Sequence, residues 1–341
     1  MKLVRNSYLI IFMALVGLGV AFGARAASQD PLSAWNDTAA KQAITEWVLN
    51  TTNKQKSTFI PGNKRFVVFD NDGTLWPEAP VTFQLQFTID EIKRLAPSHP
   101  EWKANPVVLA ALNDDLKALA KSGEKGLAQL VTLTHSGMTT TEFAKRVNIW
   151  VNSKKDPRYN CQYNQLGYLP MKQLLAYLRE NGFKTWIVSG GGADFMRVLS
   201  EQMYGIPPQQ VVGSFAQGEF TLTKDGGEIR KTMKGAYYDD GKAKPAAIHM
   251  FIGQRPVAAF GNSDGDVPML QYTSTNPDYR SFGLLIHHTD AKREYAYDSR
   301  PSASGKLIEG LTQAKSQGWV VVDMKSDWKQ VFDPVLCPNA P

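Results

Sequence analysis

Residues 65–74, RFVVFDNDGT, decide the fold of this chain. After Arg65 the run is apolar and rich in β-branched and aromatic residues, which is the pattern of a short strand buried in a parallel sheet. A turn at residues 61–64 precedes it, and the run ends abruptly at Asp70 and Asp72. Ligands bind beyond the carboxyl ends of strands in open parallel sheets, so we expect the two aspartates at a functional edge.

Further strand patterns recur in the second half of the chain. Short apolar runs alternate there with helical patterns, and this alternation is typical of a doubly wound parallel sheet with helices on both faces. Residues 211–231 differ, since they alternate like a hairpin or a meander. The predicted strands of the sheet are residues 65–69, 183–188, 256–260, 282–287 and 319–323. The sequence therefore predicts an α/β fold.

A helical segment interrupts this alternation after the first strand. Helical periodicity dominates it, and strong strand patterns are absent from it. Four helices are predicted there, over residues 81–95, 106–121, 124–133 and 139–150. We expect an α/β core with an inserted α-helical cap: the core comprises residues 27–79 and 154–341, and the cap residues 80–153.

The first 26 residues have the pattern of a secretory signal peptide. Lys2 and Arg5 precede an apolar run over residues 8–22, and small residues stand at the two positions that direct cleavage before Ala27. An uncleaved membrane anchor is the alternative, but the run is shorter than the roughly 20 residues that span a bilayer. We expect this signal peptide to direct the protein to the periplasm or outside the cell, with no membrane contact after cleavage.

The charge of the chain limits the classes of molecule that it could bind. The chain has 38 basic and 32 acidic residues, a net charge of +6, with no cluster of lysines and arginines. This argues against binding to nucleic acid, and no protein partner is evident.

The only cysteines are Cys161 and Cys337. They form either one disulfide or two unrelated thiols, because the sequence does not give their separation in space.

The pair Asp70 and Asp72 suits phosphoryl chemistry. Two carboxylates at one strand end repel each other unless a cation neutralises them, and Mg²⁺ prefers such oxygen ligands. The carboxylate of Asp70 can then attack phosphorus, while Asp72 protonates the leaving group and later deprotonates water. Aspartate and asparagine are also common in turns, so this motif alone is only suggestive.

Three later motifs supply the remaining parts of such a site. Ser189 and the Gly190 amide, at a strand-to-helix junction, can cradle a phosphate group, although these residues are also typical of an ordinary glycine turn. Lys244, at a predicted helix start, can stabilise the charge on a phosphorylated aspartate, with Lys242 as the second candidate. The loop at residues 261–266 offers further oxygen ligands or, again, a turn.

The order of these four motifs resembles that of the haloacid-dehalogenase-like hydrolase superfamily, and in particular its phosphoserine-phosphatase-like branch, over residues 66–270. The resemblance implies a Rossmann-like core with an inserted helical cap. It also implies roles for the matching residues: Asp70 as nucleophile, Asp72 as general acid and base, Lys244 as the stabilising lysine, Ser189 and Gly190 as the phosphate clamp, and Asp70, Asp72, Asn262 and Asp266 around Mg²⁺.

The fourth motif departs from the usual pattern of this superfamily. Asn262 stands where an aspartate is common, which removes one negative charge from the expected metal site, and Asp264 is the alternative ligand. Asp266 is expected to orient Lys244 or a metal-bound water.

The resemblance implies a hydrolase acting on phosphoric monoesters, with Mg²⁺ as cofactor and a small phosphorylated substrate that the sequence does not identify. Asp72 favours a phosphatase over a dehalogenase, because the dehalogenase branch lacks this second aspartate. Two alternatives remain open: a phosphotransferase that uses the same intermediate, and a non-catalytic secreted binding protein on the same scaffold.

Overall fold

The computed structural model describes residues 30–297 and 305–340. Their strands are β1 (Phe66–Phe69), β2 (Lys184–Gly192), β3 (Val211–Ser214), β4 (Gly218–Thr223), β5 (Gly226–Lys231), β6 (Ala258–Gly261), β7 (Phe282–His287) and β8 (Val320–Asp323). Six of them form a parallel sheet in the order β3-β2-β1-β6-β7-β8, and β4 and β5 form a separate antiparallel hairpin. The predicted α/β class with a doubly wound parallel sheet is confirmed.

Helices surround this sheet. They are α1 (Ala39–Thr52), α2 (Phe83–Leu95), α3 (Pro106–Leu112), α4 (Leu116–His135), α5 (Thr140–Ser153), α6 (Leu169–Glu180), α7 (Ala193–Arg197), α8 (Ser200–Tyr204), α9 (Ala243–Ala247), α10 (Val267–Ser274), α11 (Glu309–Gln317) and α12 (Met324–Asp327). Within the described ranges, no helix has the length and apolar character needed to cross a membrane. The predicted signal peptide, residues 1–26, lies outside the described residues.

Both faces of the central strand β1 are covered. Val67 and Phe69 belong to one apolar core, whereas Phe66 and Val68 belong to another, so successive side chains of the strand point into opposite layers. A strand that is buried on both faces reads as a continuous apolar run, which is why this pattern was visible in the sequence.

The segment of residues 80–153 that follows β1 is helical, as predicted, and contains α2, α3, α4 and α5. The single helix predicted over residues 106–121 was wrong, because the chain leaves the helix after Leu112 and starts α4 at Leu116. Asp115 causes the new start, since its side chain accepts a hydrogen bond of 3.0 Å from the amide of Ala118. The residue limits predicted for cap and core stay a prediction.

The segment predicted as one hairpin or meander divides between two sheets. Its first part, β3, pairs in parallel with β2 at the edge of the main sheet, and only β4 and β5 form a hairpin. The hairpin also contacts the helical segment, because Lys231 exchanges backbone hydrogen bonds with Gly137 (3.0 Å) and Met138 (2.8 Å). The hairpin and the loop that precedes α5 are thus joined through their backbones.

The strand register places the carboxyl-terminal ends of three strands side by side. Phe69, the last residue of β1, pairs with Ile187 of β2 on one side and with Phe260 of β6 on the other. Asp70 follows one residue after this line, and Ser189 and Asn262 follow two residues after it. The fold therefore brings the first, second and fourth motifs together at the centre of one sheet edge.

Candidate active site

Lys244 joins two buried carboxylates of this edge. Its Nζ lies 2.7 Å from Oδ1 of Asp70 and 2.5 Å from Oδ1 of Asp266, and all three side chains are buried. Burial alone would lower the pKa of the Lys244 ammonium, but the carboxylates of Asp266 and Asp70 raise it above the ordinary lysine value. The group is therefore a fixed cation beside Asp70. Lys242, the second candidate, is exposed.

Asp70 keeps one oxygen away from this ion pair. Its Oδ2 has a long contact, 3.5 Å, with the Thr74 hydroxyl. Burial raises the pKa of Asp70 to about 7, with a further increase from the carboxylate of Asp266 and an opposing effect from Lys244. Any additional positive charge at Oδ2 would lower that pKa and favour the ionised, nucleophilic form.

Asp266 is held on both of its oxygens. Oδ1 accepts from Lys244, and Oδ2 accepts from the backbone amides of Asn262 (2.9 Å) and Ser263 (3.0 Å) and from the Ser263 hydroxyl (3.1 Å). This arrangement suits the orientation of Lys244, which is one of the two roles expected for Asp266. Its direct contact with a metal ion stays a prediction.

Asp72 of the first motif faces the glycines of the second motif. Its Oδ1 accepts a hydrogen bond of 2.6 Å from the indole nitrogen of Trp76, and a methyl group placed on Gly191 would lie 3.1 Å from its Oδ2. Burial raises the pKa of Asp72 to about 6, against the lowering effects of the Trp76 hydrogen bond and of the Lys244 charge. A carboxyl group with such a pKa can carry a proton close to neutral pH, as a general acid must.

The second motif forms the irregular end of β2, where the pairing with β3 shifts register between Ser189 and Gly192, so the strand runs beyond the end predicted at residue 188. Ser189 is buried, and its hydroxyl accepts a hydrogen bond of 3.3 Å from the amide of Gly191. The amide of Gly192 donates to Oε1 of Gln84 at 2.7 Å, so α2 of the helical segment contacts this strand end directly. A hydroxyl and glycine amides at a strand end form the kind of cradle that binds phosphate oxygens.

The fourth motif directs Asn262, and not Asp264, towards Asp70. Thr74 connects the two residues, because its hydroxyl lies 3.0 Å from Oδ1 of Asn262 as well as beside Asp70. Asp264 instead accepts from the amides of Ile308 and Gly310 at the start of α11. Of the two alternatives left open by the sequence, Asn262 is the one that faces the site.

The oxygen atoms at this edge fit a magnesium ion. In the described part of the chain no three His, Cys, Asp or Glu side chains form a metal-binding group. The available set is mixed instead: Oδ2 of Asp70 and Oδ1 of Asn262 both lie within 3.5 Å of the Thr74 hydroxyl. Both are hard oxygen donors, and Mg²⁺ commonly takes few protein ligands and keeps several waters. The backbone carbonyl of Asp72 as a further ligand stays a prediction.

The chain matches a known protein family over more than half of its length. A family model for haloacid dehalogenase-like hydrolases matches residues 67–271. The chain belongs to this family. Its match covers all four motifs, from the strand before Asp70 to the helix after Asp266. Among curated proteins, none matches this hydrolase significantly.

A solved structure has a fold similar to that of this hydrolase. A functionally unknown protein from Anaerococcus prevotii has a TM-score of 0.52 and 14% identity, with 83% of this chain and 91% of that chain covered. A protein of unknown function from Bordetella pertussis follows, with a TM-score of 0.46, 15% identity and coverage of 76% and 99%. A phosphoserine phosphohydrolase-like protein from Francisella tularensis has a TM-score of 0.37, 16% identity and coverage of 74% and 98%. The first similarity concerns the fold alone, and the lower scores of the other two add no argument.

A buried histidine outside the four motifs supports the loop that follows β1 in this hydrolase. His288 Nε2 lies 2.8 Å from the carbonyl oxygen of Gly73, and Nδ1 lies 3.1 Å from a carboxylate oxygen of Glu294. A carbonyl can only accept, so Nε2 is the donor. Gly73 itself has a φ of +76°, in the left-handed region that favours glycine, and the histidine fixes the carbonyl of this sharp turn.

Glu78 is buried next to Asn262. Its Oε1 lies 2.5 Å from Nδ2 of Asn262 and 2.8 Å from the hydroxyl of Tyr297. Burial is the largest of the effects that raise the pKa of Glu78 well above its usual value, with further increases from Asp72 and Asp70. The Tyr297 and Asn262 hydrogen bonds oppose this increase.

The supporting contacts of the site were missed from sequence for a common reason. The hydrogen bonds Gln84 to Gly192, His288 to Gly73 and Tyr297 to Glu78 join residues that are 108 to 219 positions apart. None of these side chains belongs to a local motif. Only the contact of Trp76 with Asp72 could have been expected from sequence. The two residues are four positions apart, and an aromatic donor follows the aspartate pair closely.

Proposed function

We propose that this hydrolase is a phosphatase that cleaves phosphate monoesters through a phosphorylated Asp70. The observation that carries the proposal is the buried pairing of Asp70 with Lys244 at 2.7 Å, beside Asp72, whose pKa is raised to about 6. One carboxylate is thus held next to a fixed cation, and its neighbour is able to hold a proton. These are the requirements of a nucleophile and a general acid.

In the first half of the reaction, a carboxylate oxygen of Asp70 forms a bond to phosphorus while the bond from phosphorus to the ester oxygen breaks. Asp72 gives its proton to the departing oxygen, which leaves as an alcohol. Ser189 and the Gly190 amide hold the oxygens of the phosphoryl group, and the Lys244 ammonium stabilises the negative charge shared by Asp70 and phosphate.

In the second half, Asp72 is a carboxylate and takes a proton from water as that water attacks phosphorus. The bond between phosphorus and Asp70 breaks, Asp70 returns as a carboxylate, and inorganic phosphate leaves. Asp72 ends this step protonated, so the site is ready for another substrate molecule. Asp266 keeps Lys244 in place during both halves, since its second oxygen is fixed by three donors.

Magnesium is part of the proposal. Asp70, the backbone carbonyl of Asp72 and Asn262 would hold it, with Asp266 close by. When bound, Mg²⁺ supplies positive charge that offsets the repulsion between the Asp70 carboxylate and an anionic phosphate ester.

We also propose a periplasmic or secreted location. A disulfide between Cys161 and Cys337 supports it, because disulfides persist in oxidising compartments and are rare in the cytosol. The predicted signal peptide agrees with this location, and detection of the mature protein beginning at Ala27 in the extracellular or periplasmic fraction would test it.

Hydrolysis of p-nitrophenyl phosphate tests the phosphatase proposal. We expect turnover with Mg²⁺, loss of turnover with EDTA and recovery with excess Mg²⁺. Asp70→Asn should lower kcat by about a thousandfold or more, since it removes the nucleophile. Asp264→Asn is the matched control, because it changes an aspartate of the fourth motif but keeps an oxygen for the amides of Ile308 and Gly310. Absence of metal-dependent turnover on a broad panel of phosphate esters would overturn the proposal.

A further inference from the structure

The end of β2 contains a bulge at the proposed phosphate clamp. The ladder with β3 pairs Ser189 with Gly213 and then Gly192 with Ser214. Residues 190–191 therefore have no opposite residue in β3. Bulges of this kind turn backbone groups out of the ladder and are common next to active sites. We propose that Ser214 is a positioning residue that fixes this bulge and, through it, the phosphate clamp. This inference rests on the proposed phosphatase function, which needs that clamp.

Ser214 contacts the middle of the bulge. Its hydroxyl lies 2.7 Å from the carbonyl oxygen of Gly190, and the amide of Asp239 donates to the same hydroxyl at 3.0 Å. A carbonyl only accepts, so Ser214 is the donor to Gly190. The amide of Gly191 donates to the Ser189 hydroxyl at 3.3 Å. Both polar groups of the peptide unit between Gly190 and Gly191 are thus held, one from β3 and one from β2.

The orientation of this peptide unit affects both groups of the clamp. Glycine populates many backbone conformations, so a run of three glycines has no fixed geometry of its own. The Ser189 oxygen accepts from Gly191, which leaves the proton of that hydroxyl for a phosphoryl oxygen. Release of the Gly190 carbonyl would let the peptide rotate. The Ser189 hydroxyl would then lose its donor, and the neighbouring Gly190 amide would change direction.

The end of β3 is a rigid base for this contact. Phe215, which follows Ser214, exchanges two backbone hydrogen bonds with Tyr237, of 3.0 and 2.8 Å. The rings of these two residues stack with their centroids 5.3 Å apart. A methyl group placed on Gly213 would lie 2.6 Å from the carbonyl oxygen of Gly191, so β3 lies directly against the bulge. The hydroxyl of Ser214 is therefore held at a fixed distance from the glycines.

Three substitutions separate the effect of the hydroxyl from that of side-chain shape. Ser214→Ala removes the hydrogen bond to Gly190. Ser214→Thr keeps the hydroxyl, whereas Ser214→Val introduces a side chain of the same shape without it. Both of these variants are β-branched and suit a strand, so their comparison tests the inference even if Ser214→Ala does not fold.

Isothermal titration of inorganic phosphate into the purified protein, with Mg²⁺ present, measures the clamp without turnover. We expect Ser214→Ala and Ser214→Val to raise the Kd for phosphate by about tenfold, and Ser214→Thr to stay within about threefold of the parent. In the first two variants kcat/KM for p-nitrophenyl phosphate should fall by about tenfold or more, because the phosphoryl group is held less accurately.

Ser274→Ala is the matched control. The Ser274 hydroxyl, at the end of α10, accepts a hydrogen bond of 2.7 Å from the indole nitrogen of Trp319. Its loss should lower the Tm and leave the Kd for phosphate unchanged. Thermal unfolding of every variant shows that it is folded at the temperature of the titration.

Different outcomes separate this inference from the proposed function. An unchanged Kd for phosphate in Ser214→Ala and Ser214→Val would overturn the inference, whatever their Tm. Equal weakening in Ser214→Thr and Ser214→Val would also overturn it, since the hydroxyl would then have no effect. If the parent binds phosphate but hydrolyses no ester, the proposed function fails and the titrations still decide the inference. If the parent binds no phosphate, the inference fails together with the clamp, and ester turnover decides the phosphatase proposal separately.

Discussion

At the scale of single residues, the site depends on one buried cation between two carboxylates. Lys244 is 1% exposed and contacts both Asp70 and Asp266. Removal of one member of such a group leaves uncompensated charge in the interior, which typically costs about 3–5 kcal/mol. The same lysine is also the group that faces the proposed phosphoryl intermediate. Its loss should therefore affect both stability and turnover.

Lys244→Met should lower kcat on p-nitrophenyl phosphate by about 100-fold or more and lower the free energy of unfolding in urea by a few kcal/mol. Lys242→Met is the matched control, because that lysine is exposed and only two positions away. We expect it to change kcat by no more than about twofold. A larger loss in the Lys242 variant than in the Lys244 variant would contradict the assignment.

The residues proposed to carry the chemistry could be named from sequence because they directly follow apolar runs. Asp70, Ser189 and Asn262 each follow a run of apolar residues, and parallel strands end at one edge. The choice between Lys242 and Lys244 was open, because it depends on which side chain points inward from α9. Glu78 and Tyr297 could not be paired at all, since packing of separate segments brings them together.

At the scale of elements, the helical segment buries a histidine at the end of α4. His135 packs against Phe87 and Phe143, and its Nδ1 lies 2.7 Å from the Thr134 hydroxyl. Burial lowers the pKa of His135 to about 3, and the nearby charge of Lys231 lowers it further, while Glu91 and Asp194 oppose this. The folded protein thus keeps this histidine neutral where an unfolded chain would protonate it.

This difference makes the stability of the protein depend on pH. Below the ordinary histidine pKa of 6.5 the unfolded chain binds a proton that the folded state does not, so stability falls as the pH drops from 6.5 towards 3. Between pH 7 and pH 5 we expect His135 to account for a loss of about 2 kcal/mol in the free energy of unfolding. His135→Gln should remove this part of the dependence, as measured by urea unfolding at both pH values.

The exposed His249 provides the control for that measurement. His249→Gln should retain the full loss of stability between pH 7 and pH 5, because His135 is unchanged in this variant. If the two variants show the same pH dependence, His135 is not the source.

Helices were predicted well where the hydrophobic pattern was continuous and poorly where a local interaction interrupted it. The capping aspartate Asp115 divides one predicted helix into α3 and α4. The helix predicted to start near Lys244 ends at Ala247, and the next turn, residues 248–252, has π-helical geometry. The interruption at Asp115 depends on a single side chain, so periodicity over longer windows does not detect it.

At the scale of the whole molecule, a disulfide connects the region after the helical segment to the carboxyl-terminal part of the chain. Cys161 and Cys337 are 176 residues apart in sequence and both are buried. Cysteine counting allowed this bond but could not establish it, because only the fold brings the two residues together. A crosslink over so long a loop restricts the unfolded chain strongly.

The double variant Cys161→Ala/Cys337→Ala should therefore unfold more easily. We expect its free energy of unfolding in urea to be lower by about 2–5 kcal/mol, with kcat per folded molecule unchanged, since neither cysteine lies at the site. The parent measured with a reducing agent present should approach the variant. An unchanged unfolding midpoint in the variant would show that the bond contributes nothing to stability.

The proposed reaction requires that Asp70 becomes phosphorylated during turnover. The most direct measurement is to mix the protein with a phosphate ester and Mg²⁺, quench with acid within the first turnover, and reduce with borohydride, which converts an aspartyl phosphate to homoserine. Peptide mass spectrometry should then find homoserine at position 70 in the parent and unmodified residue in Asp70→Asn. Turnover with no modification at Asp70, or with modification at another carboxylate, would contradict this account.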